Sequence, residues 1–201
     1  MALAAVRSLD VARELARPTT TADEHLLPVA PSVADLVPGA GLRRGTVVSV
    51  IGSTSVALAL AAGPSAADSW TAAVGMADVG IVAASELGVD LDRLALVPDP
   101  GSEWAAVVAA VLDGIDVVLA RPPAHLRPAD ARRLVARARD RGGVLIVVGA
   151  WPEGADLRLT VTGREWAGLG DGHGHLGRRR LTVEIGGRGA AARPRRAQVV
   201  L

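Results

Sequence analysis

Residues 36–52 read LVPGAGLRRGTVVSVIG. Pro38, Gly39, Gly41 and Gly45 punctuate the first half as turns. Thr46–Ile51 is then a short apolar, β-branched run closed by Gly52, which is how a strand buried on both faces reads. Ser53, Thr54 and Ser55 follow, and Val56–Ala62 reads as a brief apolar helix. The same alternation continues outward. Strands are expected at Trp70–Val74, Leu94–Val97, Val117–Ala120 and Val144–Val148, and helices at Val79–Leu87, Glu103–Leu112 and Pro128–Asp140. Continuous apolar strands separated by amphipathic helices predict an α/β fold, with a mostly parallel sheet covered by helices on both faces.

After Gly149 the period changes. Leu157–Val161 and Leu181–Ile185 alternate apolar and polar, so they read as an antiparallel hairpin, its long or disordered tip being the glycine-rich GLGDGHGHLG of residues 168–177. Ala197–Leu201 reads as a final edge strand. Before the core, residues 4–17 place Ala5, Val6, Leu9, Ala12 and Ala16 on one helical face, and Pro18 stops that helix. Residues 18–31 are rich in Pro and Thr. The expected organisation is an N-terminal helix over 1–17, a linker over 18–31 and one core domain over 32–201.

Composition narrows the chemistry. The chain of 201 residues contains no cysteine and no lysine, so all 22 basic residues are arginine. Disulfides and cysteine-based zinc sites are excluded. Charges at Arg7, Asp10, Arg13, Glu14 and Arg17 interrupt any signal-peptide core, and no long uncharged apolar run could span a membrane, so a cytoplasmic location is expected by elimination. A net charge of +1 argues against strong electrostatic capture of nucleic acid by the molecule as a whole, although the C-terminal segment is basic.

The strand, Gly52 and helix would suit a phosphate-binding loop. Such a loop needs enough glycine-rich backbone to wrap the phosphates, a lysine to reach them and a Ser or Thr for Mg²⁺. Here Gly52, Ser53, Thr54 and Ser55 are all that precede Val56, and no lysine exists. A helix N-terminus can hold an anion through its backbone amides; an inherited strand-to-helix turn is the reading favoured over that one.

The order of elements, together with LVPGAGLRRGTVVSVIG and GVDLDRLALVPDPGSEWAAVVAAVLDGIDVVLA (residues 88–120), resembles the core of RecA. In the register of that resemblance the metal-binding aspartate falls on Ala120 or Arg121. The water-activating carboxylate falls near Met76-Ala77, with Asp78 the nearest acid. The DNA-binding loops shrink to residues 121–125 and 149–156. The resemblance therefore implies a RecA-like protein without catalysis, cofactor or metal. It is sharpest toward the ImuA-type accessory proteins of the DNA-damage mutasome. That implies an ImuB-type Y-family-like partner and, through it, an error-prone DnaE-type polymerase and the sliding clamp, with RecA as a further candidate and direct DNA contact left open. The SulA-type inhibitors of cell division, which bind FtsZ, share the lost loop and form the alternative, beside a degenerate nucleotide-binding protein.

Other candidates come from the residues themselves. Arg178, Arg179, Arg180, Arg188, Arg193, Arg195 and Arg196 read as a basic cluster that docks DNA phosphates or an acidic partner, or else solubilises the tail. Trp166 stands beside it, as a contact residue or a core residue. Val6, Leu9 and Arg13 would form the docking face of the N-terminal helix against another chain, or pack it on its own core. Asp171, His173 and His175 alternate, but the glycines around them favour a polar loop over a metal site. Arg132, Arg133, Arg137, Arg139 and Arg141 read as a solvated helix face. Trp151 would plug the vestigial pocket at the end of the last parallel strand.

Overall fold

The computed structural model describes residues 26–169 and 174–201. The N-terminal helix, with Val6, Leu9 and Arg13, lies outside the described residues, as do Asp171 and His173. The first described element is already a strand. Leu26–Pro28 (β1) pairs antiparallel with Gly41–Arg43 (β2), placing Leu27 opposite Leu42, both buried. The segment read as linker thus becomes a paired strand by Leu26, and a 3₁₀ turn follows at Pro31–Leu36. Leu27, Val33 and Leu36 are in the core, and their burial outweighs the turn-like Pro and Thr content around them.

The main sheet has eight strands. They are Val47–Ile51 (β3), Thr71–Val74 (β4), Leu94–Val97 (β5), Val117–Ala120 (β6), Val144–Val148 (β7), Leu157–Leu169 (β8), Gly174–Gly187 (β9) and Arg195–Val200 (β10). Their spatial order is β10-β9-β8-β3-β7-β6-β4-β5. The strands from β5 to β8 run parallel; β9 and β10 are antiparallel additions. Strands β4, β6 and β7 are buried throughout, which is why they lack alternation in the sequence.

Helices cover the two faces. Thr54–Ala66 (α1) and Ile81–Glu86 (α2) lie on one side; Trp104–Leu112 (α3) and Pro128–Arg141 (α4) lie on the other. The α1 helix is longer than its apolar run suggested. Ser53 caps it, its Oγ accepting from the Val56 N–H at 3.3 Å, so the helix starts at Thr54. Val56 to Ala62 are all buried, because the helix lies between the sheet and the β1 strap. Gly63 permits that arrangement: a Cβ there would stand 2.5 Å from Val29 Cα and 2.6 Å from Pro28 O.

Two further differences from the sequence reading have local causes. The hairpin strands run on through most of the glycine-rich stretch, and Leu169 still pairs with Gly174, so the tip is far shorter than expected. Glycine lacks side-chain packing but keeps both backbone hydrogen-bonding groups, and an antiparallel partner suffices to hold it. The arginine face of α4 is exposed at Arg132, Arg133, Arg139 and Arg141, as expected, but it is also tied by ion pairs that the sequence does not show. Arg137 and Arg141 reach Asp113 at the end of α3, at 2.5 and 3.3 Å, and Arg132 meets Glu153 at 3.1 Å. The hydrogen bond that Arg137 donates to the Asp113 carboxylate holds the guanidinium pKa above its ordinary value. Among the described residues, no helix is long and apolar enough to cross a membrane.

Replacing Gly63 with valine should lower the unfolding free energy by about 1–3 kcal/mol, read from urea denaturation, because the strap must lift to admit the side chain. Gly142→Ala should cost about 1 kcal/mol: Gly142 ends α4 at φ +70, with nothing within 4 Å of an added Cβ, so backbone conformation alone opposes it. An unchanged urea midpoint for Gly63→Val would mean that the strap is not seated there.

Candidate functional site

The carboxyl edge of the parallel sheet is where open α/β sheets take their ligands. Strand β3 ends there at Ile51 and α1 begins at Thr54, so only Gly52 and Ser53 connect them. Gly52 has φ +91, in the left-handed region that glycine enters without a Cβ clash. The loop is thus shorter than the four residues Gly52 to Ser55 suggested, because Thr54 and Ser55 already belong to the helix. So short a connection has too little backbone to encircle a chain of phosphates.

Two arginines close over it. Arg121 follows the last residue of β6, its main chain held by the Arg121 N–H donating to Val74 O at 3.0 Å. Its guanidinium pairs with Asp78 and reaches Thr54 Oγ1 at 3.4 Å, bridging the loop after β4 to the first turn of α1. Arg164 comes from β8 and donates to the Gly52 carbonyl. The residue next to Ala120 is therefore a cation already committed to the nearest carboxylate. Ala120 itself is fully buried and offers no ligand. The hydrogen bond from Arg121 holds the Asp78 carboxyl below its ordinary range, despite an opposing effect of desolvation.

Beside Arg121 lies a shallow cavity of about 240 Å³, lined by Gly75, Asp99, Trp104 and Arg121 and by prolines of the loops after β5 and β6. Gly75, at φ +69, lets the chain pass close to Trp104: a Cβ would sit 3.1 Å from its Nε1 and 2.9 Å from Arg121 O. Trp104 and Trp151 are both buried in the α3/α4 core, so Trp151 is part of that packing.

The C-terminal arginines do not form one patch. Trp166 faces Arg179 across the β8–β9 pair, with the guanidinium carbon 5.3 Å from the ring centroid. Glu165 faces Arg180, their charged atoms 3.7 Å apart, and Arg178 faces Ala167. On β10, Arg196 pairs with Glu184, Arg195 lies opposite Ile185, and Arg193 sits in the connection before the strand. Arg180 pairs with Val200 at the far end of β10, so the two groups stand roughly 15 Å apart at 3.3 Å per residue. The arm carries Arg178, Arg179 and Arg180; the other end carries Arg193, Arg195 and Arg196. Among the described residues, no three His, Cys, Asp or Glu side chains gather as a metal site.

Sequence reasoning missed both arginine contacts. The metal position falls on Ala120 or Arg121 in the sequence, with no sign that Asp78 would meet Arg121 across 43 residues. Arg164 lies 112 residues from Gly52 and carries no local signal of that contact.

Comparison with known proteins bears on the region around this edge. The family model of the MT3502 N-terminal domain matches residues 35–153. The chain is 43% identical over 131 residues to the uncharacterized protein Rv3395c of Mycobacterium tuberculosis. That match covers 63% of this chain and 64% of the relative, so the chain spans less than two thirds of that protein's length. Among solved structures, the flagellar accessory protein FlaH of Methanocaldococcus jannaschii superposes with a TM-score of 0.53, covering 88% of this chain and 93% of its own. At 11% identity the likeness speaks to fold alone, and that fold is RecA-like.

The Asp78 carboxyl should titrate below the ordinary aspartate value of 3.8 by carbon-detected NMR, and Arg121→Gln should raise its midpoint. The pair's contribution is present above the unfolded-state value and is lost as pH falls through the depressed folded value. Identical Asp78 midpoints in both proteins would show that the two side chains do not meet in solution.

Proposed function

Since the chain belongs to the family of the MT3502 N-terminal domain and has a RecA-like fold, we propose that it is a non-catalytic RecA-like adaptor of the DNA-damage mutasome. In this reading it works in the cytoplasm through protein–protein contacts. Its direct partner is an ImuB-type Y-family-like protein, which links it to an error-prone DnaE-type polymerase and the sliding clamp. RecA is a further candidate partner.

The observation that carries this reading is the occupied nucleotide edge. Gly52 and Ser53 alone join strand to helix, the Gly52 carbonyl accepts from Arg164, and Arg121 is paired with Asp78 where a metal carboxylate is expected. A triphosphate there would need a wrap of backbone amides, a compact ammonium and a carboxylate-held Mg²⁺. Guanidinium groups could counter phosphate charge, but those here are already engaged, and a planar fork replaces neither a P-loop lysine nor its metal. Freed from that chemistry, the domain is left with its surfaces. The choice of mutasome over cell division rests on the sequence resemblance, the RecA-like length and the retained hairpin.

Two measurements test it. Mg²⁺-ATP should leave the thermal midpoint unchanged, whereas a ligand at 100 times its dissociation constant would add about 2.7 kcal/mol. Immobilised protein should capture an ImuB-type partner. Capture of FtsZ alone would replace the proposal with a role in cell division, and stabilisation by ATP would restore a nucleotide-binding one.

A further inference from the structure

The low net charge hides a strong asymmetry. Residues 157–201 hold nine arginines and three acids, a net +6, which leaves −5 on residues 1–156 within a whole-chain total of +1. The β8–β9 arm, residues 162–180, carries +2 of this, with four arginines against Glu165 and Asp171, while Arg193, Arg195 and Arg196 lie at the other end of β10. Thr160 is level with Ile51, the last residue of β3, and β8 then continues to Leu169. The arm therefore stands beyond the carboxyl edge of the parallel sheet, above the Gly52–Ser53 turn, anchored there by Arg164.

Trp166 sits on this arm with 52% of its surface exposed, whereas Trp104 and Trp151 are buried. Arg179 lies over the ring and holds the indole by a cation–π contact. Trp166 and Arg164 share one face of β8, since both stand two residues apart and their cross-strand partners are Arg179 and Leu181. Arg179 shares that face, whereas Arg178 and Arg180, one residue to either side, project from the opposite face of the arm, where Arg180 meets Glu165. Of the arginines after Asp156, Arg180 and Arg196 have a carboxylate within 4 Å among the described residues.

A flat aromatic platform beside several guanidinium groups has a specific chemical counterpart. We propose that the β8–β9 arm binds single-stranded nucleic acid, a base stacking on Trp166 while the arginines neutralise the phosphates. Stacking on an aromatic side chain accepts any unpaired base, and duplex bases are not available for it. Backbone charge supplies the remaining affinity and makes it fall with salt. An acidic polypeptide would satisfy the arginines but offers nothing that requires the exposed ring. The arm lies outside residues 35–153, so the inference is independent of which protein partner the domain takes.

Fluorescence anisotropy of a labelled oligothymidylate with the full chain at low salt tests this. Binding should be tighter than to a duplex of equal length. Trp166→Ala should weaken it about tenfold, within the range for one stacked base, and Trp166→Phe should retain most of the affinity. Arg179→Gln should lessen the slope of log affinity against log salt by about 0.7. The thermal midpoint of Trp166→Ala should match the wild type, because the side chain is exposed; if it does not, Trp166→Phe alone decides. The proposal is overturned if the oligothymidylate does not bind, if strand and duplex bind equally, if Trp166→Ala binds as wild type, or if polyglutamate binds as tightly.

Discussion

Strand β3 is the constraint around which the other parts are arranged. It is hydrogen-bonded on one side to β7 and on the other to β8, and its residues Val47 to Val50 are buried. A strand with neither an open edge nor an open face requires four covering layers. The β7 and β8 strands satisfy its amides, and α1 covers one face. On the other face Val47 packs with α3, α4 and Trp151. Even its first amide is satisfied, by the Asp156 carboxylate accepting from the Val47 N–H at 2.9 Å. Because α1 must start two residues after this strand ends, the carboxyl edge is fixed as a tight turn, and Arg121 and Arg164 can reach it from neighbouring elements.

Most of the parallel sheet is legible in the sequence, because an uninterrupted apolar run such as Val144–Val148 records burial on both faces. The arms and ends are less legible. Leu26–Pro28 looks like linker because its strand character depends on a partner 15 residues away, Leu27 facing Leu42. The glycine-rich ends of β8 and β9 look like a loose tip because the pairing of Leu169 with Gly174 leaves no side-chain pattern. In both cases the decisive interaction is a backbone ladder between strands, and backbone hydrogen bonds do not depend on residue type.

The candidate site divides in the same way. The absence of lysine and the shortness of the turn are one-dimensional facts, visible without coordinates. That Asp78, Arg121 and Thr54 would meet is a three-dimensional fact, set by the ends of β4, β6 and β3 lying along one sheet edge. The apparent basic cluster of the last 24 residues is the converse: neighbours in sequence are drawn to opposite ends of an antiparallel ladder, because each strand carries its arginines away along its own axis. Proximity along the chain overstated that patch and understated the Arg164–Gly52 contact.

The double pairing of β3 also orders events during synthesis. Both of its neighbours are encoded late: β7 begins at Val144 and β8 at Leu157, about 100 residues after β3 is complete. At roughly 5–20 residues per second, this strand leaves the ribosome and waits about 5–20 seconds with both edges unpaired. Until then α1 and the strap can cover only one of its faces. The nascent chain therefore passes through an interval in which its future centre is its most adhesive surface, and chaperone capture or a pause in translation would matter most before residue 160 emerges.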